Sequence, residues 1–245
     1  MLTAGGRLVH GGHPTITNAI AAQTGNWTVA RAPISSLETT SKIQPPVVLY
    51  QSEFFAHLPP PPGREEMVRT GVAVVRWTPS TLDNAQVKGE PLLRRFQLQP
   101  EWIKAWLPGQ APASASDDLR EALLTLRLVM LLESQPRAAV SIGGMEGIEA
   151  EARLFLDLRE HHLLKGEGGV NVLASTFGAA AQLDDKRVRL VEDLTEQGAH
   201  RPITLPSDGQ ASSTHHVMER VCYEDVFYKL IQKIRQDSNP DRKES

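Results

Sequence analysis

Cysteine is nearly absent: Cys222 is alone in a chain of 245 residues. No disulfide can close within the chain, and a cysteine-based metal site is not expected. Long apolar runs are missing too, since none approaches the roughly 20 residues a membrane helix needs. The opening residues, MLTAGGRLVHGG, lack the basic segment followed by an apolar one that marks a secretory signal. The expectation is a cytoplasmic protein. There is no basic run, and 26 Lys and Arg against 29 Asp and Glu leave a net charge of −3. A nucleic-acid surface is therefore not expected. Ser52 has no G-x-S-x-G context, so a hydrolase elbow is unsupported, and Cys222 has no histidine close in sequence to activate it as a nucleophile. No internal repeat is visible. What remains is ordinary globular composition, 40% apolar and 22% charged, on a chain long enough to bury a core without staples.

Strand and helix signals alternate. Leu8 and Val9 read as a short strand, Gly11 and Gly12 as a tight turn, and Pro14 as the first turn of a helix reaching about Ala22. VVLYQS at 47–52 and GVAVVRWT at 71–78 are continuous apolar runs, the pattern of buried strands. PPPPG at 59–63 reads as a rigid spacer. The stretch 79–115 is mixed, with Trp102 and Trp106 at helical spacing and best read as packing. The clearest helix starts after Ser116, which can cap it, with Asp117 and Asp118 complementing its dipole; Pro136 ends it. AAVSIGG is then a strand, GIEAEARLFLDLREHH a helix, VNVLAST at 170–176 a strand and FGAAAQL the start of another helix. ASSTHHVMERVCYEDVFYKLIQKIRQ, 211–236, reads as a helical segment, followed by a disordered tail at 237–245. The prediction is one α/β domain over 1–236 with an open, mostly parallel, doubly wound sheet. In such sheets ligands bind outside the carboxyl ends of the strands.

Two strand exits carry paired glycines. The first is Gly11–Gly12, followed by His13, Pro14 and Thr15; the second is Gly143–Gly144, followed by Met145, Glu146 and Gly147. Glycine lets backbone N–H groups approach a ligand, and a following helix adds partial positive charge, so each corner could cradle a phosphate. Each could equally be a tight strand-to-helix turn. Glu146, Glu149 and Glu151 would repel a phosphate placed beside them and suit ribose hydroxyls or a developing positive charge on a sugar ring. Glu149 and Glu151 could instead only complement the helix dipole, a reading stronger for Glu149 than for Glu151. His10 and His13 flank the first pair, but no third ligand is spaced for a metal, so no metal and no cofactor are expected; His13 reads as a donor to phosphate. His161–His162 and His215–His216 read as surface or helix-end residues.

GGHPTIT at 11–17, YQSEFF at 50–55 and IGGMEGIEAE at 142–151, with LASTFGAAAQL at 173–183, together resemble the SLOG superfamily. This Rossmann-like group joins the DprA/SMF domains with the Lonely Guy (LOG) phosphoribohydrolases. The likeness is strongest to a prokaryotic cluster of SLOG domains. It implies a nucleotide site at the strand exits, formed by Gly11, Gly12, His13, Pro14, Thr15, Gln51, Ser52, Gly143, Gly144, Met145, Glu146, Gly147, Ser175, Thr176 and Gly178. LOG enzymes cleave the N-glycosidic bond of nucleoside 5′-monophosphates. By that likeness Glu151 matches the catalytic glutamate and Arg127, sixteen residues before Gly143, the substrate-holding arginine. The signature is altered: Ile142 stands for its proline, Ile148 for its threonine, Leu128 for the usual lysine, and an extra residue separates the glycines.

The resemblance therefore implies a binder of a nucleotide or nucleotide-derived signal, of nucleoside monophosphate, NAD or ADP-ribose type. It would act as a sensor in a defence or stress system, with a TIR-type NAD-consuming effector as partner and a homo-oligomeric state. The alternatives are a LOG-like phosphoribohydrolase using Glu151 and Arg127, and a nucleotide-free scaffold. Members of the superfamily begin with a strand and helix before the segment that GGRLV resembles. The further expectation is that this chain lacks that first unit.

Overall fold

In the computed structural model the described residues are 7–12, 17–18, 20–22, 45–142, 146–165, 169–173, 186–190, 200–203, 218–221 and 231–232. The chain divides into two compact units. One comprises Met1–Pro136 with His161–Leu164, the other Arg137–Glu160 with Lys165–Ser245.

The first unit is built on three parallel strands in the order β1 (Leu8–His10), β2 (Val47–Ser52) and β3 (Ala73–Thr78). β2 is paired on both sides and five of its six residues are buried. That explains its unbroken apolar run, because a strand covered on both faces has no side to leave polar. The register sets Leu8 beside Val47 and Val47 beside Ala73, Leu49 beside Val75, and Gln51 beside Trp77. These side chains share one face, since alternate residues of a strand point the same way. Val47, Leu49 and Ala73 form a core there with Met67 and Val72, joined by Leu8, Ile20, Ala21 and Val75. Met67 comes from α1 (Arg64–Arg69), on the connection between β2 and β3. Residues 17–18 and 20–22, between β1 and β2, are also helical.

The opposite face of β2 meets α4 (Asp117–Ser134), preceded by α2 (Leu92–Arg95) and α3 (Pro100–Trp106). α4 starts as its sequence dictates. Ser116 Oγ accepts the Leu119 N–H at 3.2 Å, and Asp117 and Asp118 occupy the first turn. Its chain reverses at Gln135, which is left-handed at φ 48° and ψ 57°, just before Pro136. Every residue from Leu124 to Leu132 is buried, so α4 is covered nearly all round rather than on one stripe. The mixed stretch before it contains a tight antiparallel hairpin, β4 (Gln86–Val87) and β5 (Glu90–Pro91). Positive φ at Lys88 and Gly89 forms its two-residue turn.

The second unit has its own parallel sheet in the order β6 (Ala139–Ile142), β7 (Val170–Leu173) and β8 (Val188–Leu190). α5 (Glu146–Glu160) connects β6 to β7 and buries Ala150, Ala152, Leu154, Phe155, Leu156 and Leu158. Arg187 reaches the outer side of α5, at 3.3 Å from Asp157 and 2.8 Å from Glu160. β9 (His200–Ile203) pairs antiparallel with β10 (Met218–Val221). This corrects the helical reading of 211–236. Met218–Val221 is a strand, because ladder pairing with β9 outweighs a helix propensity that is only a weak prior. Ile231 and Gln232, later in that segment, are helical. The chain is thus α/β, with parallel sheets and strand-helix-strand connections. The predicted helix at FGAAAQL and the tail at 237–245 lie outside the described residues.

Gly63, ahead of α1, has φ +78°, and a Cβ there would collide with the Ala21 side chain. Gly63→Ala is expected to destabilise the protein by about 1–3 kcal/mol through φ strain and displaced packing. A thermal melt reads this as a lowered midpoint; an unchanged midpoint would contradict the packing described.

Candidate functional site

The carboxyl ends of β1, β2 and β3 lie side by side, and there the first glycine corner meets the β2 exit. Gly12 is buried with φ +63°, and a Cβ on it would lie 3.0 Å from both Gln51 Cγ and the Tyr50 carbonyl oxygen. Only glycine fits this close approach without displacement. Gly11 differs. A Cβ there would make ordinary contact with Leu126 Cδ2 at 3.8 Å, so local packing does not oblige a glycine. The Gly12 N–H donates to His10 Nδ1 at 3.1 Å, so this amide turns in on its own strand.

Gln51 holds the middle of the row. Its carbonyl accepts from Thr78 Oγ1 at 3.3 Å, and its Oε1 accepts from Arg64 Nη1 at 2.5 Å. The Arg64 guanidinium also lies over Trp77, 6.0 Å from the ring centroid. Ser52 is buried and its Oγ caps the 3₁₀ turn Glu53–Phe55 by accepting the Phe54 N–H at 3.2 Å. Of the residues foreseen for the site, the structure brings Gly11, Gly12, Gln51 and Ser52 together. It adds Arg64, Trp77 and Thr78, which sequence reasoning missed. Trp77 could have been found only from the strand register, and Arg64 sat in a segment read as a spacer and its sequel.

On the other face of β2, Tyr50 donates its phenol proton to Glu133 Oε2 at 3.0 Å. Burial holds the Tyr50 proton well above its ordinary value near 10, and the Glu133 carboxylate adds to the effect. Arg127, on α4, is 7% exposed, and its Nη1 donates to the Gln110 carbonyl at 3.0 Å and to Gln110 Oε1 at 2.6 Å. Gln110 is itself buried and donates through Nε2 to the Trp106 carbonyl at 3.0 Å. The arginine that resemblance assigns to substrate is thus built into the packing between α4 and the 3₁₀ turn Leu107–Gln110.

In the second unit Glu146 and Gly147 open α5, and Glu151 sits one turn on with a partly buried side chain. Glu149 pairs with Arg153 at 2.6 Å across one helical turn, which fits its reading as a helix-surface group. His13, Pro14, Thr15, Gly143, Gly144, Met145, Ser175, Thr176 and Gly178 lie outside the described residues, as do His215, His216 and Cys222. His161 is exposed and stacks on Trp102 at 4.0 Å, and Trp102 packs against Trp106 at 6.2 Å. Among the described residues no group of three or more His, Cys, Asp or Glu could hold a metal ion, and no helix is long and apolar enough to cross a membrane.

Residues 111–201 match the SLOG cluster3 family. The match runs from the approach to α4 through β8 to the first two residues of β9 and does not include the Gly11–Gly12 corner. No curated protein and no solved structure gives a significant match.

Tyr50 supplies a pH test. Below about pH 10 its phenol is protonated both folded and unfolded, so its contribution to stability is fully present. As pH rises further, only the unfolded chain releases the proton, and stability falls. Tyr50→Phe should cost about 1 kcal/mol at neutral pH and flatten that alkaline decline. Denaturant melts at neutral and alkaline pH check this; an equally steep decline in the variant would refute the assignment.

Proposed function

The chain carries a SLOG cluster3 family region at residues 111–201, and from that premise we propose that it binds a nucleotide or nucleotide-derived signal of nucleoside monophosphate, NAD or ADP-ribose type. Membership of a SLOG family suggests a nucleotide-related function. The observation that carries the finer reading is the corner at Gly12. It is pressed so closely on Gln51 and Tyr50 that the parallel strand exits form one continuous row. Ligands of open parallel sheets bind at such exits. In this reading Gly11, Gly12, His13, Pro14, Thr15, Gln51 and Ser52 are the candidate nucleotide-binding residues of the first unit. Gly143 to Gly147, with Ser175, Thr176 and Gly178, are those of the second.

Binding without cleavage is the favoured role, that of a sensor coupled to an effector such as a TIR-type domain in a cytoplasmic homo-oligomer. The buried Arg127 guanidinium donates to Gln110, which supports a structural role for it in this reading. The phosphoribohydrolase reading keeps Glu151 as the stabiliser of an oxocarbenium-like transition state.

A thermal-shift panel of nucleoside monophosphates, NAD and ADP-ribose variants, with products analysed by mass, separates the readings. A sensor shows a raised midpoint and no released base. An enzyme releases free base, and Glu151→Gln stops the release while preserving binding. A scaffold shows no shift with any nucleotide. Gly11→Ala should leave the ligand-free midpoint within a degree or two, because the added methyl finds ordinary contact, yet reduce the nucleotide shift. An undiminished shift in that variant would remove Gly11 from the site.

Arg127→Met should lower the midpoint without any ligand, because it leaves the buried polar groups of Gln110 without their donor, at a cost of about 1–3 kcal/mol. If the variant melts as wild type and loses only ligand response, Arg127 serves the ligand instead.

A further inference from the structure

Trp77 is 49% exposed at the end of β3, and Val68 on α1 is 44% exposed. With Val75, Arg64, Glu65 and Arg69 they line an open cleft of about 310 Å³. That volume is near the lower bound for small-molecule sites, which combine apolar walls with a few polar groups. The cleft is tied to the strand exits. Trp77 is the register partner of Gln51, and Arg64 bonds Gln51 while lying over the Trp77 ring. Gln51 is in turn the residue against which Gly12 closes. The row from Gly12 through Gln51 to Trp77 crosses two strand spacings, about 10 Å. That is the scale of an extended nucleoside phosphate.

We propose that this cleft takes the nucleobase of the ligand, stacked on Trp77 beneath the Arg64 guanidinium, a placement that rests on the nucleotide reading above. The jaws have nearly the needed separation. Direct stacking contact is roughly 3.5–4.0 Å, so a ring held between two planes needs about 7 Å. The guanidinium stands 6.0 Å from the ring centroid, and a small swing of its flexible stem supplies the difference. Both jaws favour an aromatic ring, the indole by stacking and the guanidinium by cation–π attraction. Glu65 also lines the cleft, and carboxylate oxygens that accept hydrogen bonds suit a base carrying an exocyclic amine, such as adenine. Arg69 is held by Glu66 through two contacts at 2.6 and 2.8 Å and shapes the wall without competing for the ring.

The test is calorimetric titration of the full chain with AMP, ADP-ribose and ribose 5-phosphate, the last lacking a base. Wild type, Trp77→Ala and Trp77→Phe are compared after their ligand-free melting midpoints are matched. The expected result is that Trp77→Ala weakens AMP and ADP-ribose about tenfold or more and leaves ribose 5-phosphate unchanged. Trp77→Phe should retain most of the affinity. Equal AMP affinity in wild type and Trp77→Ala overturns the stacking site while the nucleotide reading stands. The same holds for an equal loss with ribose 5-phosphate, or for a changed oligomeric state with unchanged AMP affinity, which would assign the cleft to a second copy. Wild type that binds no nucleotide at all overturns the nucleotide reading and this inference with it.

Discussion

Parallel pairing of β2 with strands on both sides is the constraint from which the first unit follows. Once Val47 to Leu49 is enclosed by β1 and β3, and Tyr50 to Ser52 is paired with β3, the ladder satisfies its backbone groups there and both faces of the strand must be covered. The helical residues 17–18 and 20–22 and α1 cover one face and α4 the other. Parallel strands cannot be joined by a tight turn, so each connection must travel back along the sheet. Those returns begin at the carboxyl ends, and the structure therefore gathers its irregular, glycine-bearing segments there.

The same enclosure sorts the polar groups. Away from the exits they are absorbed by packing: Tyr50 with Glu133, and Arg127 with Gln110. Leaving such groups unsatisfied in a region of low dielectric is costly, and the fold supplies these two with partners. At the exits the balance changes. Arg64 is tied to Gln51 but remains only partly buried, and Trp77 is half open to solvent. Ser52 and Thr78, at the same exits, are buried and bonded, so exposed and enclosed side chains meet where the sheet ends.

Much of the secondary structure was legible because its causes are local. The Ser116 cap, the acidic first turn of α4, the apolar runs of β2, β3 and β6 and the periodicity of α5 all reside in neighbouring residues. The helical reading of 211–236 failed at Met218–Val221 because that segment's state depends on β9, about 15 residues earlier in the chain. The hairpin of β4 and β5 was hidden by its brevity: two residues per strand are too few to show a period.

The sequence by itself determined the α/β class, the positions of the glycine corners and the resemblance that points toward a nucleotide. Each is carried by residue type and short spacing. Tertiary structure alone decided how those residues are used. It showed that Gly12 is required by a close approach while Gly11 is not, and that Arg127 is enclosed by Gln110. It also set Arg64 and Trp77 beside Gln51. The physical reason is register. Which side chains share a face and meet across strands depends on pairing between segments 25 or more residues apart, and no local pattern encodes that alignment.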